Sequence, residues 1–182
     1  MFGRRCLAKL AIGLTVGLGL MASGGAQSEQ LFREHSNDYL TLQGGVWESG
    51  LGGNRERHAA AFGAEYRWGA HLWIVHPFVG INGTSKGGVY GYGGLLLDIS
   101  LIDRLWFTPS FAVGGFSRGG GSDLGHVIEF RSGFELSYEF ENKSRLGVRY
   151  EHISNAGISD TNPGTENIWL VFTVPVSKLF GK

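Results

Sequence analysis

Apolar and polar positions alternate with period two along much of the chain, most clearly from Ile128 to Phe140. In one phase lie Ile128, Phe130, Phe134, Leu136, Tyr138 and Phe140, with Ser132 as the single small polar member. The other phase carries Glu129, Arg131, Gly133, Glu135, Ser137 and Glu139. Successive side chains of a strand point to opposite faces, so this segment predicts a strand with one aromatic-rich face and one charged face. A soluble sheet would hide the apolar face in a core. A small membrane barrel instead turns it to lipid and keeps the charges inside, and the combination of charge and aromatics favours the barrel.

Other segments follow the same rule. Ala60, Phe62, Ala64, Tyr66 and Trp68 alternate with Ala59, Ala61, Gly63, Glu65 and Arg67, while Leu105, Phe107, Pro109, Phe111 and Val113 alternate with Trp106, Thr108, Ser110, Ala112 and Gly114. Ile168, Leu170, Phe172, Val174 and Val176 line one face near the end. Segments 38–48, 71–82 and 88–100 alternate less cleanly: Leu95-Leu96-Leu97 interrupts one, and both faces of 72–79 are largely apolar. With Arg145–Ser154 the expected total is eight strands, the smallest common size for an outer-membrane barrel. Turn-forming residues separate them at Gly50 to Asn54, Asn82 to Gly88, Gly114 to Asp123, Glu141 to Ser144 and Asn155 to Gly164. The tract Gly119-Gly120-Gly121 lacks the lysine-serine pair and following helix of a phosphate loop, so it reads as a hairpin tip.

Composition agrees. The chain has 31 glycines, 12 phenylalanines, 6 tyrosines and 5 tryptophans against 4 prolines, with zero net charge that gives no argument for a nucleic-acid partner. Residues 1–26 read as a cleaved signal peptide: Arg4, Arg5 and Lys9 precede an apolar run from Leu10 to Met21, and Ser23 to Ala26 are small. The lone cysteine, Cys6, would leave with it, so the mature chain is expected to hold no disulfide. Residues 27–182 are expected to form one domain, an all-β, eight-stranded antiparallel transmembrane β-barrel of the outer membrane. Its interior, lined by Glu65, Arg67, Arg131 and Glu135, would be packed with side chains and leave no room for a transport pore. Outward aromatics such as Phe134 and Phe172 would meet lipid or, in a homodimer, a second copy.

The candidate chemistry lies in Tyr150-Glu151-His152-Ile153-Ser154-Asn155-Ala156-Gly157 and in Glu166. Leu146, Val148, Tyr150, His152 and Ser154 share the outward phase, and Glu166 is in phase with outward Ile168 and Leu170. Polar groups facing lipid are costly, so a serine, a histidine and a carboxylate gathered there suggest a nucleophile, its base and the group that orients the base. Polar residues at strand ends also mark where a barrel leaves lipid, so a non-catalytic surface barrel stays open at this level. So does another lipid-active serine enzyme, a phospholipase or acyltransferase. His58, His71, His76 and His126 have no partners at metal-ligand spacing and read as rim or loop residues; no metal or other cofactor is expected.

The stretch from Tyr150 to Gly157, with Asn162, Glu166 and Asn167 following, resembles the PagL family of outer-membrane lipid A 3-O-deacylases. The resemblance is strong over about 145–176 and rests upstream on barrel size and strand pattern. It implies hydrolysis of the ester-linked 3-hydroxyacyl chain at position 3 of lipid A, with lipopolysaccharide in the outer leaflet as substrate. It further implies Ser154 as nucleophile, His152 as general base and then acid, and Glu166 as the group orienting His152. Asn155, Gly157 and Asn162 become candidates for holding the oxyanion.

Overall fold

A computed structural model describes residues 37–48, 58–69 and 75–179. The signal-peptide reading and His71 lie outside these residues, as does the first connection at Gly50 to Asn54. The strands are β1 (Tyr39–Trp47), β2 (Ala59–Arg67), β3 (Val75–Thr84), β4 (Val89–Leu97), β5 (Ile99–Ile102), β6 (Leu105–Ser117), β7 (Ile128–Glu139), β8 (Arg145–Ser154) and β9 (Thr165–Pro175). A single helical turn, α1 (Val176–Leu179), follows. Each strand pairs antiparallel with its neighbours; β9 pairs back onto β1, and β4 pairs with β6, which closes the sheet. No helix among the described residues is long and apolar enough to cross a membrane.

The barrel has eight staves, because β4 and β5 form one strand interrupted at Asp98, both pairing with β6. The expected single strand 88–100 is therefore broken. Asp98 turns inward, accepting Thr108 Oγ1 at 2.6 Å and Arg145 Nη1 at 2.8 Å, and the ladder yields there to a buried ion pair. Alternation itself continues across the break. Leu96, the centre of the leucine run that obscures the sequence pattern, fills the interior while Leu95 faces out. Likewise His76 and Phe78 turn inward from β3 and Val79 outward.

The waist of the barrel is filled by a network of arginines and glutamates. Arg149 binds Glu65 at 2.6 Å and Glu135 at 2.8 Å, Arg67 reaches Glu135 at 2.7 Å, and Arg131 reaches Glu65 at 2.8 Å and Glu151 at 3.3 Å. Buried ions persist only when paired this closely, and here each guanidinium meets two carboxylates. Phe78 and Tyr92 stack on Arg131. The Tyr92 ring crosses the lumen over Gly80, where an added Cβ would lie 2.6 Å from it, so an inward glycine opposite makes the ring fit.

Toward the end bearing the 85–88, 118–127 and 155–164 loops, the filling becomes apolar: Trp47 stacks on Phe116, with Tyr90, Leu124, Ile153 and Trp169 in the same cluster. The opposite end has the tight turns 103–104 and 140–144, the start of β1 and the end of β9. Tyr66 against Trp68 and Tyr138 against Phe140 form its outward aromatic rim. Such a belt suits a membrane–water boundary.

Candidate active site

β8 keeps strict alternation along its length. Arg145, Gly147, Arg149, Glu151 and Ile153 are buried in the barrel, while Leu146, Val148, Tyr150, His152 and Ser154 face out. The inward charges lock this register, because a one-residue slip would place Arg149 and Glu151 in lipid. His152 and Ser154 are thereby fixed on the outer skin, at the end carrying the longer loops.

β9 supplies the next component. Its register with β8 puts Glu166 directly across from His152, and Nδ1 lies 3.3 Å from Oε1. Both groups are partly open, 45% for the His152 side chain and 28% for Glu166. The ring edge carrying Cε1 and Nε2 lies over Gly164, on the Ser154 side of the ring's own strand position. An imidazole held through Nδ1 leaves Nε2 to exchange a proton elsewhere. Ser154, paired with Phe130 of β7, has no side-chain hydrogen bond among the described residues, and its relation to His152 is one of shared face and neighbouring position.

The loop after Ser154 is tied down by Asn155. Its side chain is fully buried and donates to Leu124 O at 3.0 Å and Thr161 O at 2.8 Å, while its Oδ1 accepts Gly157 N at 2.9 Å. Ile158 N returns to Asn155 O at 3.2 Å across Ala156 and Gly157, both at positive φ, which is the geometry of a type I′ turn. Ser159 Oγ donates to Gly125 O, joining this loop to 118–127.

These bonds sort the oxyanion candidates. The amide protons of the Asn155 side chain, the Asn155 N–H and the Gly157 N–H are all engaged within this loop or with the 118–127 loop. Asn162 differs: its Oδ1 accepts Asn155 N, the amide next to Ser154, at 3.0 Å, and its Nδ2 has no partner among the described residues. Pro163 restricts Asn162 to extended backbone, which fits a side chain reaching back to the strand end. Asn162, Pro163 and Thr161 also line an open cleft of about 710 Å³ with Ser122 and Asp123.

The remaining histidines stand apart from this group. His126 is exposed in its loop and its Nδ1 accepts Ile128 N, and His58 is exposed just before β2. His76 departs from the rim or loop expectation: it is buried inside β3, with Nδ1 3.2 Å from Trp68 O, because the inward phase of that strand places it under the barrel end. Among the described residues no group of His, Cys, Asp and Glu is arranged to hold a metal. Gly164 escapes a reading by residue type, its only sequence signal being the Pro-Gly step directly before Thr165 and Glu166.

The profile of the family described as lipid A 3-O-deacylase (PagL) matches residues 26–175. The chain belongs to this family. A lipid A deacylase PagL of Bordetella bronchiseptica is 36% identical over 136 residues, 70% of this chain and 68% of the relative. One of Pseudomonas aeruginosa is 35% identical over 73 residues, 39% of this chain and 42% of the relative. The crystal structure of the outer membrane enzyme PagL superposes with TM-score 0.57 at 21% identity, covering 75% of this chain and 99% of that one. A designed transmembrane β-barrel gives TM-score 0.59 at 10% identity over 80% of this chain and 100% of its own. At such identities the two structures speak for the fold: a closed eight-stranded barrel of outer-membrane type.

Proposed function

We propose that this protein is an outer-membrane esterase that removes the 3-O-linked 3-hydroxyacyl chain of lipid A through an acyl-enzyme on Ser154. The observation that carries the mechanism is the His152–Glu166 pair, set beside Ser154 on a largely apolar face. Ser154 Oγ attacks the ester carbonyl carbon as His152 Nε2 takes its proton. Glu166, at Nδ1, keeps the ring in the tautomer that accepts at Nε2 and stabilises the imidazolium that forms. Negative charge developing on the carbonyl oxygen meets the free Nδ2 of Asn162, whose carboxamide is already oriented by its bond to the Asn155 amide.

Collapse of this intermediate breaks the bond to the sugar 3-oxygen, which takes the proton from His152 and leaves as an alcohol. Water then attacks the acyl-serine, giving its proton to His152. The 3-hydroxy fatty acid departs and Ser154 is restored. The cycle consumes one water and needs no metal or organic cofactor.

The start of β1 and the end of β9 lie on the side of the tight turns, which we assign to the periplasm, with residues 1–26 acting as the export signal. Ser154 then opens toward the outer leaflet, where lipid A resides and its acyl esters reach the barrel wall from the side. Mass spectrometry of lipid A from cells carrying the wild type or Ser154→Ala tests the reading. Loss of one 3-hydroxyacyl chain with the wild type alone is the expected result. Lysophospholipid, a gained acyl chain or an unchanged lipid A would overturn it.

A further inference from the structure

We propose that Gly164 is a positioning residue of the active site, the seat on which the His152 imidazole rests so that Nε2 is presented to Ser154. The inference builds on the reading of Ser154, His152 and Glu166 as nucleophile, base and orienting carboxylate.

Gly164 has φ +64, a left-handed conformation in which glycine is the default residue. Conformation alone does not demand glycine in this loop, since Ala156 is held there at φ +54. What sets position 164 apart is its surroundings. A Cβ at Gly164 would lie 3.1 Å from His152 Cε1, 3.6 Å from Nε2 and 3.3 Å from Ile153 O. At Gly157 and Gly87, both at φ +78, a Cβ would meet nothing within 4 Å. The open space at those two positions shows that the crowding at 164 comes from the imidazole and the adjacent β8 backbone.

The ring is therefore held by two features of one segment. Glu166 fixes Nδ1 at 3.3 Å, and the bare Cα of Gly164 accepts the Cε1–Nε2 edge. Ile153 pairs with Thr165, so Gly164 sits one step further along, level with Ser154. The edge resting on it is the one that must exchange a proton with the serine. A methyl group at 164 has a rigid backbone behind it, so the ring must give way. It either rotates Nε2 off the Ser154 side or lengthens the Nδ1–Oε1 contact. The ring must yield by a few tenths of an ångström; misplacement by about 1 Å can lower turnover about 10²-fold, so this smaller shift is expected to lower it about 3- to 10-fold.

The test compares Gly164→Ala, Gly87→Ala and Ser154→Ala in the full chain, assayed in mixed micelles with lipid A and normalised to the folded fraction given by heat-modifiable electrophoretic mobility. Gly87→Ala introduces the same left-handed strain in the β3–β4 turn, away from the site. The expected result is a fall in kcat of about 3- to 10-fold for Gly164→Ala with KM changed by less than about twofold, because lipid contacts stay intact. The acidic limb of its pH–rate profile should also shift, which a mere loss of folded protein does not produce. Gly164→Asn, which carries a Cβ yet adopts left-handed backbone readily, serves if the alanine variant fails to fold and is expected to match it. If the folded Gly164 variants keep the turnover and pH profile of Gly87→Ala, the positioning role is wrong while the triad stands. Should Ser154→Ala retain activity, the triad itself fails, whatever the Gly164 variants do.

Discussion

His152 and Glu166 face one another across the β8–β9 ladder as direct cross-strand partners, with Nδ1 and Oε1 3.3 Å apart. The backbone register creates this pair, and the inward charges of β8 hold the register. The geometry proposed for catalysis on the outside of the barrel thus depends on electrostatics inside it. Both side chains are partly open, so the pair contributes only about 0–1 kcal/mol to stability. Its value is directional. Glu166→Ala is expected to leave the folded barrel intact and to lower kcat by about 10²- to 10⁴-fold, since the imidazole loses both its tautomer preference and its anchor. Release of 3-hydroxy fatty acid from lipid A measures this, and wild-type turnover by Glu166→Ala would remove Glu166 from the mechanism.

Asn162 and Asn155 should separate in experiment although both lie close to Ser154. Asn162→Ala removes the free Nδ2 donor and is expected to lower kcat about 10²- to 10³-fold with little change in unfolding. Asn155→Ala strips the bonds to Leu124 O, Thr161 O and Gly157 N. It is expected to destabilise the barrel by about 1–3 kcal/mol, because the buried Leu124 carbonyl is left unpaired and the loop loses its anchor. Urea unfolding in lipid vesicles alongside turnover distinguishes the two. Equal effects of both variants on stability and rate would refute the division of labour.

The barrel and the outward placement of His152, Ser154 and Glu166 were legible in the sequence because both follow from period-two alternation. A strand that is charged on one face and aromatic on the other can be placed only one way in a membrane, and His152, Ser154 and Glu166 fall out of that phase. Cross-strand register was not legible. Nothing in the spacing says that Glu166 sits opposite His152 instead of Ser154, since loop length leaves a choice of pairings. The break at Asp98 was hidden too, because its cause is a pair with Arg145, which is remote in sequence. The same holds for Asn155: its role as a loop anchor depends on Leu124, brought near only by closure of the barrel.

The ion network predicts a large penalty for unpairing it. Arg149 alone bridges Glu65, Glu135 and Gln43. Arg149→Met strands carboxylates away from water and is expected to lower unfolding free energy by about 3–5 kcal/mol. The same change should weaken activity only in proportion to lost folded protein, since Arg145 and Glu151 remain as inward charges that hold the β8 register. Tryptophan fluorescence during urea unfolding follows the first effect and turnover per folded molecule the second. A variant as stable as the wild type would mean that the network contributes nothing to holding the barrel together.

Glu129 gives the opposite expectation. It faces inward from β7 and is fully buried, and neither carboxylate oxygen has a hydrogen-bond partner among the described residues. Arg131, two positions along the same face, is committed to Glu65 and Glu151. The Tyr90 hydroxyl donates to the Glu129 backbone oxygen, a bond that survives any change of side chain. A buried polar group without partners costs about 1–3 kcal/mol, so Glu129→Met, similar in length and free of that cost, is expected to raise unfolding free energy by about that amount. Urea unfolding in vesicles at neutral pH measures the gain. A loss of stability would show that the carboxylate is held by something in the lumen, and the apolar cap around Trp47 and Phe116 would then be the place to look for it.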